Sequence, residues 1–257
     1  MNKIREILLF LFLSIVLYLL FWPVPVDPVI WEPPHSPALE GNYTPNNYLI
    51  NVERFGLGDG IGPEDVDVDA FGNIYTGYEE GEIIRYKPDG SGGERFAHTG
   101  GRPLGLEFDK HGNLIVADAL QGLLSIDPIG KITVLTTGTK DVKFGFADDL
   151  DISPDGTIYF SDVSSKTGIT DYRHDIVEHR PHGGLFAYNP QNKRTYLVQD
   201  SMYFANGVAV SPEGDFVLVN ETSEYRVRKV WIKGNMIGKS EILMDGLPGF
   251  PDGISSN

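Results

Sequence analysis

Hydrophobic and polar residues follow two different patterns along the chain, one before residue 27 and one after residue 48. The first is an uncharged, mostly apolar run from Ile7 to Val26, long enough to cross a hydrocarbon core of roughly 30 Å as a helix. The second is an alternation of apolar and polar residues over short stretches, which is typical of half-buried β-strands. The patterns predict a membrane helix followed by an all-β domain.

The alternating stretches recur as a common unit in which two apolar strands flank a short turn that ends in glycine. Four copies are present, with turn glycines spaced 40, 44 and 58 residues apart at Gly72, Gly112, Gly156 and Gly214. Further strands follow each hairpin, and about four strands in a repeat of about 40 to 45 residues are typical of a β-propeller blade. A β-sandwich, the alternative, has no reason to repeat its turn at a fixed period.

The patterns divide the chain into three segments. Residues 1–26 are predicted to be a cytoplasmic stub and a transmembrane signal anchor, residues 27–47 a tether rich in Pro and Asn, and residues 48–257 the propeller domain. An insertion from residue 163 to 182 lengthens the third repeat, and such elaborated loops often carry function. Its histidines are candidates for substrate contact, with solvated loop residues as the alternative: His174, His179 and His182.

We interpret the N-terminal run as an anchor rather than as a cleaved signal peptide. It ends in Trp22-Pro23-Val24-Pro25, without the small residues that a signal peptidase prefers. Lys3 and Arg5 precede the run, and the positive-inside rule places such a basic flank in the cytoplasm. The chain is therefore predicted to cross the membrane once and to hold its propeller in the periplasm, the lumen or the extracellular space.

Charge and composition exclude several classes of function. Lys and Arg total 21 against 36 Asp and Glu, which gives a formal net charge of −15 and repels the phosphates of nucleic acids. The chain has no Cys, so it has no disulfide, no thiolate zinc site and no cysteine nucleophile. Because of the negative net charge, we expect no nucleic-acid partner.

The repeat also predicts where a site lies. The positions eight residues before the turn glycines are Glu64, Leu104, Asp148 and Asn206, and Asp252 matches Asn206 in a fifth repeat. The first strands of propeller blades line the central axis, so these side chains are expected to converge at one end of the channel. Three carboxylates and an amide oxygen, without His or Cys, favour one hard cation, and such an irregular set suits Ca²⁺ better than Mg²⁺. For any single position, a turn or strand-end role is the alternative.

A second acidic pattern precedes the first turn. Asp65, Asp67 and Asp69 alternate as in an EF-hand loop, but Ala70 occupies the sixth position, where that loop needs Gly. We interpret these three residues as the solvent face of a strand.

Several longer stretches point to a family: Gly62-Pro63-Glu64-Asp65, residues 101–105, 116–123, 158–166 and 206–211, and Gly249-Phe250-Pro251-Asp252. Together they resemble the strictosidine synthase-like branch of the gluconolactonase and paraoxonase superfamily, over essentially everything after the tether. The resemblance implies a six-bladed β-propeller. At the length of the repeat, residues 48–257 hold four to five blades, so we expect the last blades to lie beyond Asn257.

The resemblance also implies residue roles. In metal-dependent members, Glu64, Asn206 and Asp252 match calcium ligands, and Asp148 matches a position that is usually Asn. Asp149 follows it as the Asp of the family does, and is a candidate catalytic residue. The implied activity is hydrolysis of aryl esters or lactones, in which calcium polarises the carbonyl and an acidic residue activates water. Asp252 is the first candidate for that acidic residue.

Two other functions stay open at this point. The domain can be a noncatalytic propeller that binds a partner outside the cytoplasm, because the same fold serves many functions. Plant strictosidine synthase instead joins an amine to an aldehyde through a Glu in a late blade, and that position would lie beyond Asn257. A small ester or lactone and the membrane are therefore the expected partners.

Overall fold

The recurring hairpins fold into four-stranded antiparallel sheets in the computed structural model of the chain, which describes residues 2–255. Residues 1 and 256–257, the outer ends of the predicted anchor and propeller segments, lie outside the described residues. Strands that are consecutive in the chain are neighbours in each sheet. This arrangement confirms the all-β class and the four-stranded repeat, whereas a closed ring of six blades stays a prediction.

Each of the four sheets contains one turn glycine of the sequence repeat, between its first and second strands. The first contains β1 (Val66–Val68), β2 (Ile74–Gly77), β3 (Glu82–Tyr86) and β4 (Glu94–His98). The second contains β5 (Pro103–Phe108), β6 (Leu114–Asp118), β7 (Gly122–Ile126) and β8 (Ile132–Thr136). The third contains β9 (Ala147–Ile152), β10 (Ile158–Asp162), β11 (Gly183–Asn189) and β12 (Arg194–Met202). The fourth contains β13 (Ala205–Val210), β14 (Phe216–Glu221), β15 (Arg226–Trp231) and β16 (Ser240–Met244).

The first strands of successive sheets lie side by side. Contacts join β1 to β5, β5 to β9, and β9 to β13, so these four strands form the inner side of a propeller-like arrangement. The hairpin turns close as predicted, because all four turn glycines have positive φ, between 64° and 87°, where only Gly adopts the backbone at little cost.

Apolar side chains from facing sheets fill the spaces between them. Between the second and third sheets, Phe144, Phe160 and Phe186 pack with ring centroids 5.0 to 5.8 Å apart. Leu114 and Leu124 are fully enclosed between the first and second sheets. Each fully buried side chain of this size contributes about 1.5–3 kcal/mol, so sheet-to-sheet packing accounts for much of the stability.

Acidic side chains tie the first inner strand to the second and the third to the fourth. Leu106 N donates to Asp65 Oδ2 at 2.8 Å, and Phe108 N donates to Asp67 Oδ2 at 2.6 Å. The third and fourth sheets are joined in the same way, by Val208 N to Asp149 Oδ2 and Val210 N to Asp151 Oδ2. Our interpretation of Asp65 and Asp67 as a solvent face is therefore wrong, because the edge of each inner strand has N–H groups that need acceptors.

The N-terminal apolar run forms a helix, α1 (Asn2–Phe21). The helix is long and apolar enough to cross a membrane, and its residues 3–21 are not buried against the rest of the protein. A signal sequence near an N-terminus has the same properties, so α1 is either a membrane anchor or a signal sequence.

The insertion in the third repeat lies between β10 and β11. It contains a short 3₁₀ turn (Ile169–Asp171) followed by α2 (Tyr172–Glu178). Asp162 at the end of β10 pairs with Ala147 at the start of β9 and with Gly184 in β11. The insertion therefore emerges at the end of the sheet where the inner strand begins.

Candidate functional site at the start of the inner strands

One cavity of about 510 Å³ lies where the inner strands begin, and the four predicted metal ligands line it together. Asp148 and Asn206 are the second residues of β9 and β13, and Glu64 comes two residues before β1. Asp252 follows the fourth sheet. Leu104, which occupies the same slot in the second sheet, also lines the cavity. The structure thus brings together every residue that the slot predicted.

Buried acids at the ends of the second strands fix the start of the inner strands. Asp118 Oδ1 accepts Arg102 N at 3.0 Å, and Asp162 Oδ1 accepts Phe146 N at 2.9 Å. Glu221 does the same for the fourth sheet, since Tyr203 N donates to its Oε1 at 3.1 Å. These three acids are almost completely buried. Sequence reasoning missed their role, although the repeat carries a signal: each of the three is the last residue of the second strand of its sheet.

Asp252 is held by its main chain. Gly207 N donates to the carbonyl oxygen of Asp252 at 3.1 Å, and Asn220 Nδ2 donates to the same oxygen at 2.5 Å. The side chain of Asp252 is left exposed. The carboxylate is therefore placed at the cavity by a backbone that the fourth sheet anchors, while its oxygens stay free to meet a ligand.

The site is strongly acidic. Burial raises the pKa of Asp148 well above its ordinary value, and the charges of Asp149, Glu64 and Asp252 raise it further. The pKa of Glu64 is raised by burial and then by Asp252. Arg102 opposes both shifts, and its Nη2 lies 3.6 Å from Glu64 Oε2. One arginine thus faces several carboxylates that repel one another.

The donor set suits a cation. Asp148 is 7% exposed, and a buried carboxylate without a bound proton or cation is costly. Carboxylate and amide oxygens without His or Cys are what Ca²⁺ prefers. Among residues 2–255, no group of three or more His, Cys, Asp or Glu side chains is already gathered as a metal site requires. The donors fit calcium in chemistry and share one cavity.

Asp149 is held more tightly than a free catalytic acid would be. Its Oδ1 accepts Leu150 N at 2.9 Å, and its Oδ2 accepts Val208 N at 2.8 Å. Burial raises its pKa to about 7, although both backbone hydrogen bonds lower it. Asp149 therefore joins the third sheet to the fourth, beside Asp148.

A second pair of acids lies further along the same cavity. Burial, the charge of Asp151 and a hydrogen bond to it together raise the pKa of Glu107 to about 9. Glu107 therefore holds a proton and donates it in a hydrogen bond to Asp151, across the second and third sheets. Sequence reasoning missed this pair, although the repeat carries its signal: Asp67, Glu107 and Asp151 each lie five residues before a turn glycine.

The three histidines of the insertion lie outside this cavity. His179 is 6% exposed, and its Nε2 lies 3.0 Å from Glu224 Oε1. His182 Nε2 lies 3.0 Å from Glu178 Oε1, and His174 is partly exposed on α2. The structure therefore places none of the three at the predicted metal ligands.

Comparisons with known proteins agree with this picture of the fold. The strictosidine synthase family model matches residues 148–235, and the strictosidine synthase-like N-terminal model matches residues 41–86. Protein STRICTOSIDINE SYNTHASE-LIKE 6 of Arabidopsis thaliana is 38% identical over 95% of this chain and 67% of its own length. Adipocyte plasma membrane-associated protein of Salmo salar is 34% identical over 90% of this chain and 59% of its own length.

Solved structures with the same architecture are more distant in sequence. A putative gluconolactonase superposes with a TM-score of 0.60 at 21% identity, over 74% of this chain and 66% of that one. A gluconolactonase from Xanthomonas campestris gives 0.61 at 18% identity, over 73% and 64%. At such identities the likeness concerns the fold alone. The chain spans 59% to 67% of the length of the first four curated relatives.

Proposed function

Because the chain belongs to the strictosidine synthase-like family of β-propeller proteins, we propose that it is a membrane-anchored, calcium-dependent hydrolase of aryl esters or lactones. The observation that carries the proposal is the convergence of Glu64, Asp148, Asn206 and Asp252 on one cavity. These residues come from separate repeats of the chain, and a shared ligand gives a common reason for their chemistry. Two solved neighbours are gluconolactonases by their descriptions, which supports hydrolysis.

The residues would divide the work as follows. Glu64, Asp148, Asn206 and Asp252 would hold the cation, and calcium, when bound, would polarise the substrate carbonyl and stabilise the negative charge on its oxygen. Asp252 is exposed, so its carboxylate can take a proton from water as the water oxygen bonds to the carbonyl carbon. That proton then goes to the leaving alkoxide as the ester bond breaks, which yields an acid and an alcohol.

The proposed topology has one membrane crossing. Helix α1 would span the bilayer with Lys3 and Arg5 on the cytoplasmic side, and the propeller would lie outside the cytoplasm. Adipocyte plasma membrane-associated protein, a relative, is described by its name as membrane-associated, which supports an anchor over a cleaved signal.

A noncatalytic binding propeller is the second candidate. One observation favours it: within residues 2–255 the acids are not yet gathered into a metal site. A propeller that binds a partner through the acidic cavity needs no reacting water, so the exposed Asp252 would then contribute charge only.

Turnover with and without calcium tests the proposal. Phenyl acetate and a panel of lactones would be incubated with the purified protein, then with excess chelator, and then with Ca²⁺ added back. Asp252→Asn should reduce turnover by about 10²-fold or more, the loss expected for a general base. Asp200→Asn, which alters an exposed Asp on β12, is the matched control and should keep parental activity. Full turnover by Asp252→Asn would show that its role is wrong, and no calcium-dependent turnover on any substrate would favour the binding propeller.

A further inference from the structure

The segment after α1 is hydrogen-bonded to the insertion of the third repeat. Asp27 N donates to Glu178 Oε2 at 3.1 Å, and Val29 N donates to the carbonyl oxygen of Glu178 at 3.1 Å. In return, Arg180 Nε donates to the carbonyl oxygen of Asp27 at 2.7 Å, and Arg180 Nη2 lies 2.8 Å from Asp27 Oδ2. We call residues 27–31 the strap, since they fasten the chain to α2.

The acceptor of the strap is a buried, ionised carboxylate. Glu178 is 1% exposed. Burial opposes its ionisation, but Lys166, His182 and the Asp27 N–H bond to it and lower its pKa to about 2. Hydrogen bonds to a charged acceptor are about twice as strong as those between neutral groups. The first residue of the strap, Asp27, is therefore bound to a carboxylate that Lys166 and His182 also contact.

The other end of the strap is held by aromatic packing. The ring centroid of Trp31 lies 4.1 Å from that of His179, and Trp31 stacks on Tyr225 at 6.0 Å with an interplanar angle of 6°. Tyr225 in turn stacks on Phe250 at 4.9 Å. Aromatic pairs at these separations contribute about 0.5–1.5 kcal/mol each beyond the area that they bury. The strap thus bridges α2 and the segment that leads to Asp252.

The length of chain between α1 and the strap limits how far α2 can lie from the membrane. Helix α1 ends at Phe21, and Asp27 is already bonded to Glu178 and Arg180. Six residues, fully extended, span at most about 20 Å. If α1 crosses the bilayer, α2 must therefore lie within about 20 Å of the place where the helix leaves it.

Helix α2 and the axial cavity share one end of the sheets. The insertion emerges where β9 begins, next to Asp148, and the turn glycines close the opposite end. The outward side of α2 carries the exposed Arg173 and, one turn later, Val177, which is 63% exposed. Ile30 of the strap, whose neighbours Val29 and Trp31 line one pocket with Val177, is fully exposed. Apolar side chains with a nearby cation are typical of a surface that meets lipid headgroups.

We infer that the strap fixes the propeller with α2 and the cavity end against the bilayer, so that the lipid surface is the partner of the α2 face. Ligands then reach the axial carboxylates through the gap between propeller and membrane. The inference rests on the proposed function only in taking α1 as a membrane anchor. It does not depend on hydrolysis.

Lipid quenching of single labels tests this orientation. The parent chain has no Cys, so Val177→Cys on α2 and Ile129→Cys, an 88% exposed residue in the β7–β8 turn at the opposite end, each accept one fluorophore without background. The full chain would be reconstituted in phosphatidylcholine vesicles that carry a nitroxide on the headgroup. We expect quenching at residue 177 to be at least threefold stronger than at residue 129.

Loosening the strap supplies the second arm. Trp31→Ala and, separately, Arg180→Gln in the labelled chains should lower quenching at residue 177 to within twofold of that at residue 129, while thermal unfolding shows that the sheets persist. Strong quenching at residue 177 in both variants would show that the strap does not set the orientation. Equal quenching at both labels in a parent chain that floats with the vesicles would overturn the orientation. A chain that does not float would overturn the anchor and the inference with it, whereas hydrolysis is measured independently.

Discussion

At individual positions, the acidic residues of the inner strands serve two purposes, decided by what their carboxylates meet. Asp67 and Asp151 meet backbone N–H groups of the next sheet at 2.6 Å, so their charges are used within the fold. Burial and then the charges of Asp149, Glu64 and Asp252 raise the pKa of Asp148. Residues of the same type, a few positions apart, are therefore structural in one case and available to a ligand in the other.

The shared proton of Glu107 predicts a pH dependence of stability. The folded-state pKa of Glu107 is raised from 4.5 to about 9, so its contribution to stability is complete below pH 4.5 and is lost as pH rises through about 9. Glu107→Gln keeps a donor toward Asp151 and removes the titration. The variant should match the parent in free energy of unfolding near pH 5 and exceed it near pH 9, as measured by urea unfolding across this range.

The control for this prediction is Glu213→Gln, at an exposed turn position. Its difference from the parent should stay constant from pH 5 to pH 9. A Glu107→Gln variant that loses stability with rising pH as steeply as the parent does would contradict the assignment of the proton to Glu107.

At the scale of the elements, the inner strands are matched in pairs. Seven residues before each turn glycine, the first and third sheets carry Asp65 and Asp149, whereas the second and fourth carry Gly105 and Gly207. Each Asp reaches across to a backbone N–H of the following strand, directly after that Gly. The glycines in turn face the next neighbour: a Cβ at Gly105 would meet Asp148 and Asp149 of the third sheet, and one at Gly207 would meet the segment at Asp252.

Gly105→Ala should therefore destabilise the protein. An added Cβ would lie 2.8 Å from the carbonyl oxygen of Asp148 and 2.8 Å from Cα of Asp149, so backbone would have to move. We expect a loss of about 1–3 kcal/mol, the usual cost of overpacking, and weaker binding of any ligand held by Asp148. Gly168→Ala, where nothing lies within 4 Å of the added Cβ, is the control. Equal midpoints of denaturant unfolding for both variants and the parent would contradict the close approach.

At the scale of the whole molecule, three parts act on one another: the apolar helix α1, the strap and the sheets. The strap connects α1 to α2, and through Trp31, Tyr225 and Phe250 it also connects to the segment that carries Asp252. This chain of aromatic contacts thus ends at Phe250, two residues from Asp252. The anchor would then influence both the orientation of the propeller and the position of the site.

The proposed topology predicts which part of the protein a protease can reach. Protease added to intact cells or spheroplasts should remove the propeller and leave a fragment that contains α1, because the basic flank at Lys3 and Arg5 favours a cytoplasmic N-terminus. A cytoplasmic marker protein serves as the control and should stay intact. A protected propeller with an accessible N-terminal reporter would show the reverse orientation.

The amino-acid sequence by itself determined the all-β class, the four hairpin turns and the slot that leads to the cavity. Each of these depends on local rules: alternation of period two gives strands, and a glycine is needed where φ is positive. Because the unit repeats, one alignment of turn glycines was enough to place Glu64, Asp148 and Asn206 at the same end of the inner strands. Repetition thus converted local information into a long-range prediction.

Only the tertiary structure decided which acidic side chains accept hydrogen bonds from the backbone and which face the cavity. In the sequence, nothing distinguishes Asp65 and Asp149 from metal ligands or surface residues. They accept hydrogen bonds from N–H groups that lie about 41 and 59 residues away in the chain. The strap shows the same limit, since Asp27 meets Glu178 across 151 residues. Sequence patterns report which face a residue occupies, but the partner on that face is set by how the sheets pack.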